Sequence, residues 1–287
     1  MDRARSVAVN RGPELELDCL IPQPTVTKGC CKGRRMIHHW QYPILFATGL
    51  VAGFVDSIAG GGGLITIPVL LSLGLGPQET LGTNKLQASF GSGSATGHYA
   101  AAKTVPLRDC ARGFLFSFFG AALGALVVQL INPSFLRSAI PFLLIAVAFY
   151  TLFKPQLGAT DLHPRMSRAR FDLLFGLGIG FYDGFFGPGT GTFWTMAYML
   201  GLGFNMARAT GYTKVMNFAS NLSSLAFFLL GGKVYFAAGL VMGIGQLTGA
   251  RIGARMVIAR GTKFIRPMFI AVVLVLTIKL AYDALAR

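Results

Sequence analysis

Two acidic side chains of this sequence lie within apolar stretches, and each is followed by a glycine cluster and then by a lysine. The first set comprises Asp56, glycines 60–63 and Lys85; the second comprises Asp183, the glycine-rich residues 187–191 and Lys214. A carboxylate can carry a proton, and a lysine supplies positive charge. A glycine cluster interrupts a helix and frees backbone N–H groups, which attract anions. The pattern therefore predicts a site for protons and a small anion.

The two sets belong to an internal repeat. GFVDSIAGGGG from Gly53 and GFYDGFFGPGTG from Gly180 align at an offset of 127 residues, and Gly-Leu-Gly at 74–76 meets Gly-Leu-Gly at 201–203 at the same offset. The match continues further along the chain, where Gly120, Gly124 and Ala125 correspond to Gly245, Gly249 and Ala250. The predicted unit therefore contains four apolar segments and occurs twice.

Composition predicts an all-α polytopic membrane protein. Of 287 residues, 53% are hydrophobic and 13% are charged, with a mean hydropathy of +0.57. About eight apolar segments are long enough to cross a hydrocarbon core as helices. They cover residues 41–75, 84–102, 112–131, 136–153, 171–200, 213–232, 234–258 and 263–282. The net charge of +15 is typical of basic cytoplasmic loops next to anionic lipid, and it does not imply nucleic-acid binding.

The first segment of each unit is too long for one straight span. A helix over residues 41–75 would reach about 52 Å, against a hydrocarbon thickness of ~30 Å. The segment must tilt, break or fold back at its glycines, and folding back would make the repeats inverted. The positive-inside rule places the loops 103–112 and 154–170 inside. If every segment of the second half is counted as one span, its basic residues fall outside, which the same rule disfavours. The topology of that half therefore stays open.

The predicted organisation has four parts. Residues 1–40 form a polar, disordered cytoplasmic tail, or an artefact of the start site if translation begins at Met36. Residues 41–153 form the first transmembrane repeat, 154–170 the linker and 171–287 the second repeat.

The candidate site has a functional and a structural interpretation, and both stay open for the carboxylates. Asp56 and Asp183 are predicted proton-coupling residues, yet they could equally bind the free amides of a broken helix or pair with the lysines. Glycines can also serve close helix packing. That interpretation is favoured for scattered glycines such as Gly120 and Gly245. Anion binding is favoured for the clusters. The predicted substrate-binding residues are Gly60, Gly61, Gly62, Gly63, Asn84, Lys85, Gly187, Gly189, Thr190, Gly191, Lys214 and Asn217.

The chain resembles the TauE/SafE sulfite exporter family, also called the TSUP family of anion transporters, over residues 41–287. The resemblance rests on GFVDSIAGGGGLITIP, LGTNKLQAS, GFYDGFFGPGTGTFW, ATGYTKVMNFASN and GARIGARMV. It implies a multi-pass protein of the bacterial inner membrane, built from a four-helix duplication. It also implies transport, expected as export, of sulfite, sulfoacetate or a related sulfur-containing anion, coupled to the proton gradient.

Two other classes of protein compete with a transporter. A passive anion channel would use the same donors without any change in the protonation of Asp56 or Asp183. An intramembrane hydrolase is disfavoured, because Ser94 and His98 share a helix face but lack a nucleophile-elbow motif and a nearby acid. No catalytic residue, metal or cofactor is predicted. The predicted partners are a small anionic substrate and membrane lipids, and homo-oligomerisation is left open.

Overall fold

The computed structural model describes residues 37–153 and 161–260, and the regular structure within them is entirely α-helical. The helices are α1 (Gln41–Ala59), α2 (Gly62–Ser72), α3 (Pro77–Ala101), α4 (Leu107–Leu130), α5 (Pro133–Phe153), α6 (Arg168–Phe185), α7 (Thr190–Leu202), α8 (Met206–Leu230) and α9 (Phe236–Arg260). Residues 1–36 of the predicted tail, which include the alternative start at Met36, lie outside the described residues, as do residues 154–160 of the linker and the predicted segment 263–282. The prediction of an all-helical protein is confirmed.

Both long apolar segments break at their glycines. Residues 41–75 divide into α1 and α2, and residues 171–200 divide into α6 and α7. Helices α3 and α8 begin seven residues before the predicted segments, at Pro77 and Met206. Their first turns are too polar to be recognised from hydropathy, but both are capped. The Glu79 carboxylate accepts from the Gly76 backbone N–H at 3.3 Å at the start of α3, and the Asn205 side chain accepts from the Arg208 backbone N–H at 3.0 Å at the start of α8.

The outer surface of the helices is apolar, whereas their interior contains many polar groups. Large exposed side chains include Leu115, Phe119 and Leu123 on α4, Phe135 and Phe142 on α5, and Leu174 on α6. Buried polar side chains include Lys85, Gln87, Asp183, Lys214, Asn217 and Gln246. Among the described residues, α4 and the window Gln41–Ile58 of α1 are long and apolar enough to span a membrane. An apolar exterior around a polar interior is typical of a membrane protein with a water-filled or substrate-filled cavity.

Two helix seams with small residues support this interior. Helix α1 packs along α9, and α4 packs along α6. A Cβ at Gly120 would lie 2.5 Å from the carbonyl oxygen of Leu177, and one at Gly245 would lie 2.3 Å from that of Phe46. These glycines therefore allow the backbones to approach, as the packing interpretation expects. Helices α3 and α8 contact each other, and both lie against these seams.

Candidate functional site

The two helix breaks meet backbone to backbone. Gly60, between α1 and α2, has a φ of 73°, in the left-handed region that favours glycine. A Cβ on Gly60 would lie 2.5 Å from the Cα of Gly191 in the first turn of α7. Only glycine at both positions permits this contact, so the breaks form one site.

Asp56 is bound by backbone amides and by a lysine. Its Oδ1 accepts from the backbone N–H groups of Gly61 and Gly62, at 3.2 and 3.3 Å. Its Oδ2 accepts from Lys214 Nζ at 3.2 Å, and the same ammonium donates to the backbone carbonyl of Asp56. The Asp56 carboxylate therefore binds two of the backbone N–H groups that were predicted to bind an anion, in agreement with the structural interpretation.

Asp183 is bound differently. Its Oδ1 lies 2.6 Å from Lys85 Nζ, and its Oδ2 accepts from the hydroxyl of Ser220. Lys85 also donates to Asn221 Oδ1 at 3.3 Å. The difference from Asp56 has a simple cause in sequence, because Pro188 in the second break has no N–H to donate.

The two ion pairs cross between the halves of the chain. Asp56 on α1 pairs with Lys214 on α8, while Lys85 on α3 pairs with Asp183 on α6. The side chains of Lys85 and Asp183 are only 1% and 4% exposed, whereas the side chain of Asp56 is 20% exposed. Two lysines and two aspartates give this cluster a formal charge of zero.

A small polar cavity of about 30 Å³ lies between the two breaks. Its volume suits roughly one or two water molecules. Its lining residues are Asp56, Gly61, Gly63, Asn84, Ala88, Asp183, Gly187, Gly189, Thr190, Gly191, Asn217, Asn221 and Gln246. The cavity is therefore surrounded by carboxylates, by side-chain amides and by the backbone at the starts of α2 and α7. Within the described ranges, no group of three or more His, Cys, Asp or Glu has the arrangement of a metal site.

Two lining side chains have unused hydrogen-bonding capacity. The amide oxygens of Asn217 and Gln246 are buried and have no partner among the described residues. By contrast, Asn84 Oδ1 accepts from Thr66 Oγ1 at 2.6 Å and from Gln87 Nε2 at 2.7 Å. Buried polar atoms are rarely left unpaired in proteins, so these two oxygens are available to accept hydrogen bonds from a water or another donor in the cavity.

The structure brings most of the predicted site residues to this cavity. The exceptions are Gly60, Gly62, Lys85 and Lys214, which are not among its lining residues. Sequence reasoning missed Asn221 and Gln246. A side-chain amide within an otherwise apolar membrane segment was the available signal. The Ser94 hydroxyl donates to the Leu247 backbone carbonyl at 3.1 Å, so this hydroxyl links α3 to α9.

Comparison with known proteins agrees with the motifs. The family model described as sulfite exporter TauE/SafE matches residues 45–280. The chain belongs to this family. The predicted resemblance is thus confirmed, and the TauE/SafE protein described here is a membrane transporter. Its family is one of transporters, in keeping with a non-enzymatic role.

Relatives from three bacterial species match most of this chain. A probable membrane transporter protein of Haemophilus influenzae is 48% identical over 240 residues, covering 84% of this chain and 94% of the relative. The probable membrane transporter protein YfcA of Escherichia coli K12 is 46% identical, covering 84% and 90%. YunE of Bacillus subtilis, also a probable membrane transporter protein, is 25% identical, covering 85% and 98%. No solved structure gives a significant match to this TauE/SafE chain.

Proposed function

We propose that this protein is a secondary transporter that exports sulfite, sulfoacetate or a related sulfur-containing oxyanion across the bacterial inner membrane, coupled to protons. The observation that carries the proposal is the charge-neutral cluster of two lysines and two aspartates beside the polar cavity. A membrane interior tolerates such charges at a cost of ~2.5–3.5 kcal/mol each on insertion scales, so their retention favours a transport role.

We further propose that the fold consists of two homologous four-segment units in a multi-pass arrangement. The first helix of each unit packs against the third segment of the other unit, since α1 lies along α9 and α6 lies along α4. Each of the two ion pairs likewise joins a residue of the first unit to a residue of the second. Both observations support a duplicated architecture with the substrate site at the junction of its halves.

Charge balance supports coupling to protons. A monovalent oxyanion entering the neutral cluster would leave one uncompensated negative charge in a buried site, which is costly. Protonation of one carboxylate removes that charge and releases its lysine for the anion. Anion and proton then bind together and cross together without net charge. Because the anion and the proton move in the same direction, an inward proton gradient opposes export, and export requires a cytoplasmic excess of the anion that outweighs the proton gradient.

Asp183 is the better proton carrier of the two aspartates. Backbone amides and ammonium groups can only donate hydrogen bonds, so Asp56 would lose partners on taking up a proton. The Ser220 hydroxyl next to Asp183 can donate or accept, and it can serve either protonation state. Asp56 is assigned the structural role of holding the start of α2.

Substitution of each aspartate by asparagine should separate these roles. We expect Asp183→Asn to retain anion exchange but to lose net transport driven by a pH gradient. We expect Asp56→Asn to lose thermal stability and all transport in parallel, because asparagine presents an N–H group toward Lys214. Exchange and gradient-driven flux are measured in the same proteoliposomes, alongside the melting temperature of each variant. Loss of both fluxes in a stable Asp183→Asn protein would contradict the assignment.

The substrate class is tested with purified protein in proteoliposomes. Sulfite, thiosulfate, sulfoacetate and sulfate are supplied in turn, with a pH-sensitive dye inside the vesicles. We expect anion movement to be accompanied by proton movement. For an anion with a single negative charge, such as hydrogen sulfite, this movement should be insensitive to an imposed membrane potential, whereas a doubly charged anion that crosses with one proton should stay sensitive to it. A passive anion channel would instead follow the membrane potential and would not accumulate the anion against its gradient.

A further inference from the structure

A second polar cavity, of about 440 Å³, lies among four arginines and shares no lining residue with the cavity at the helix breaks. The arginines are Arg108 and Arg112 on α4, Arg168 on α6 and Arg208 on α8. We propose that this cavity binds a phosphate-type oxyanion, supplied either as a free inorganic anion or as the headgroup of an anionic lipid. The proposal is independent of what the central site transports.

The arginine cavity lies where three helices begin. Arg108, Arg168 and Arg208 lie in the first turns of α4, α6 and α8, which start at Leu107, Arg168 and Met206, and Arg112 lies in the second turn of α4. Helix N-termini carry partial positive charge, which adds to that of the arginines. The cavity therefore lies at one end of the bundle, where a membrane protein meets lipid headgroups and water.

The charges in this cavity are not balanced. Four arginines face Asp109 and Asp172, which leaves a formal charge of +2 among the lining residues. Asp161 lies outside the lining, 3.9 Å from Arg208, and it is half exposed. Neither Arg108 nor Arg112 has a carboxylate within ion-pair distance among the described residues, although the charge of Arg112 also acts on Asp172. A guanidinium fork suits the oxygens of phosphate, and two such groups four residues apart can share one ligand.

The other two arginines are fixed in place and form a wall of the cavity. Arg168 donates from Nε to Asp172 Oδ1 at 3.0 Å and from Nη2 to the Asp109 backbone carbonyl at 3.1 Å. Its guanidinium carbon lies 4.9 Å from the centre of the Tyr212 ring, and that of Arg208 lies 4.0 Å from the centre of the Phe204 ring. Aromatic faces thus hold these two cations in place beside their carboxylate partners Asp172 and Asp161.

Tyr212 provides an independent indication of a ligand. The residue is fully buried and lines the arginine cavity, and its hydroxyl has no hydrogen-bond partner among the described residues. The hydroxyl is closed off from solvent in the ligand-free protein, so we expect an oxyanion bound between the arginines to accept from it after a small shift of the surrounding side chains. An unpaired buried donor beside unpaired cations is the donor set that a phosphate group requires.

The test uses the full chain in nanodiscs, with two matched pairs of arginine substitutions. Arg108→Gln/Arg112→Gln removes the free cations, and Arg251→Gln/Arg255→Gln removes two exposed arginines with the same spacing on α9. In neutral phosphatidylcholine, the melting temperature is followed against inorganic phosphate at constant ionic strength. A second series replaces phosphate with phosphatidylglycerol in the nanodisc. In the Arg108→Gln/Arg112→Gln protein we expect roughly tenfold weaker affinity for the active ligand, seen as a smaller rise in melting temperature. In the Arg251→Gln/Arg255→Gln protein we expect almost no change.

The two series identify the source of the oxyanion. An effect of phosphate that depends on Arg108 and Arg112 indicates a free anion. The same dependence with phosphatidylglycerol alone indicates a lipid headgroup. The proposal is overturned if neither ligand stabilises the wild-type protein, or if both double variants respond equally. A Lys85→Met protein should keep the effect, which distinguishes this site from the central one.

A single hydroxyl gives a sharper control. Tyr212→Phe should weaken ligand-dependent stabilisation by about threefold or more without lowering the melting temperature of the ligand-free protein, because the hydroxyl has no partner to lose. Tyr198→Phe removes another buried hydroxyl without a described partner, but Tyr198 does not line the arginine cavity. We expect no change in ligand affinity there. Equal affinities in wild type and Tyr212→Phe would remove Tyr212 from the site.

Discussion

Replacement of Lys85 by methionine is expected to abolish transport and to lower the free energy of unfolding by about 3–5 kcal/mol. The substitution leaves Asp183 without its cation at a position where the carboxylate side chain is only 4% exposed. Lys214→Met should cost less, because Asp56 keeps two amide hydrogen bonds and a side chain that is 20% exposed. Thermal unfolding and proteoliposome flux measure both effects.

A double variant separates charge from packing. Lys85→Met/Asp183→Leu removes both charges, and we expect it to recover much of the stability lost in the single variant, since apolar replacements of a buried ion pair are often neutral or stabilising. Transport should stay absent, because the cluster then lacks both the proton acceptor and the cation. Recovery of transport in the double variant would show that this ion pair only supports the fold.

Gly60→Ala is expected to disrupt the site at its centre. Alanine at a φ of 73° costs ~1–2 kcal/mol, and its Cβ would also lie 2.5 Å from the Cα of Gly191. The contact between the breaks must then open, with loss of anion binding and a lower melting temperature.

Two other glycines provide matched controls for Gly60. A Cβ at Gly97 on α3 or at Gly178 on α6 would meet nothing within 4 Å. Alanine there should leave binding unchanged and raise stability by up to ~1 kcal/mol through helix propensity. A Gly60→Ala protein with wild-type melting temperature and anion affinity would mean that the breaks do not need to touch.

The sequence predicted the chemical groups of the site better than their partners. Glycines next to a carboxylate in an overlong apolar segment predicted the helix breaks, and repetition singled out Asp56 and Asp183. Which lysine pairs with which carboxylate was not predictable, because the contacts join residues 98 and 158 positions apart. Gln246 was missed for a related reason. It lies on α9, and its proximity to the breaks depends on packing of α9 along α1 and α3.

The crossed ion pairs also have a consequence for biosynthesis. Asp56 and Lys85 are made first, but their partners lie 158 and 98 residues later in the chain. At ~5–20 residues per second, these partners are synthesised roughly 5 to 30 s afterwards. During that interval Asp56 has the backbone N–H groups of Gly61 and Gly62 as partners, but neither Asp56 nor Lys85 has the oppositely charged partner of the finished protein. A ribosome that stalls between the two halves therefore leaves a membrane-embedded intermediate with mispaired charges, which quality-control proteases can recognise.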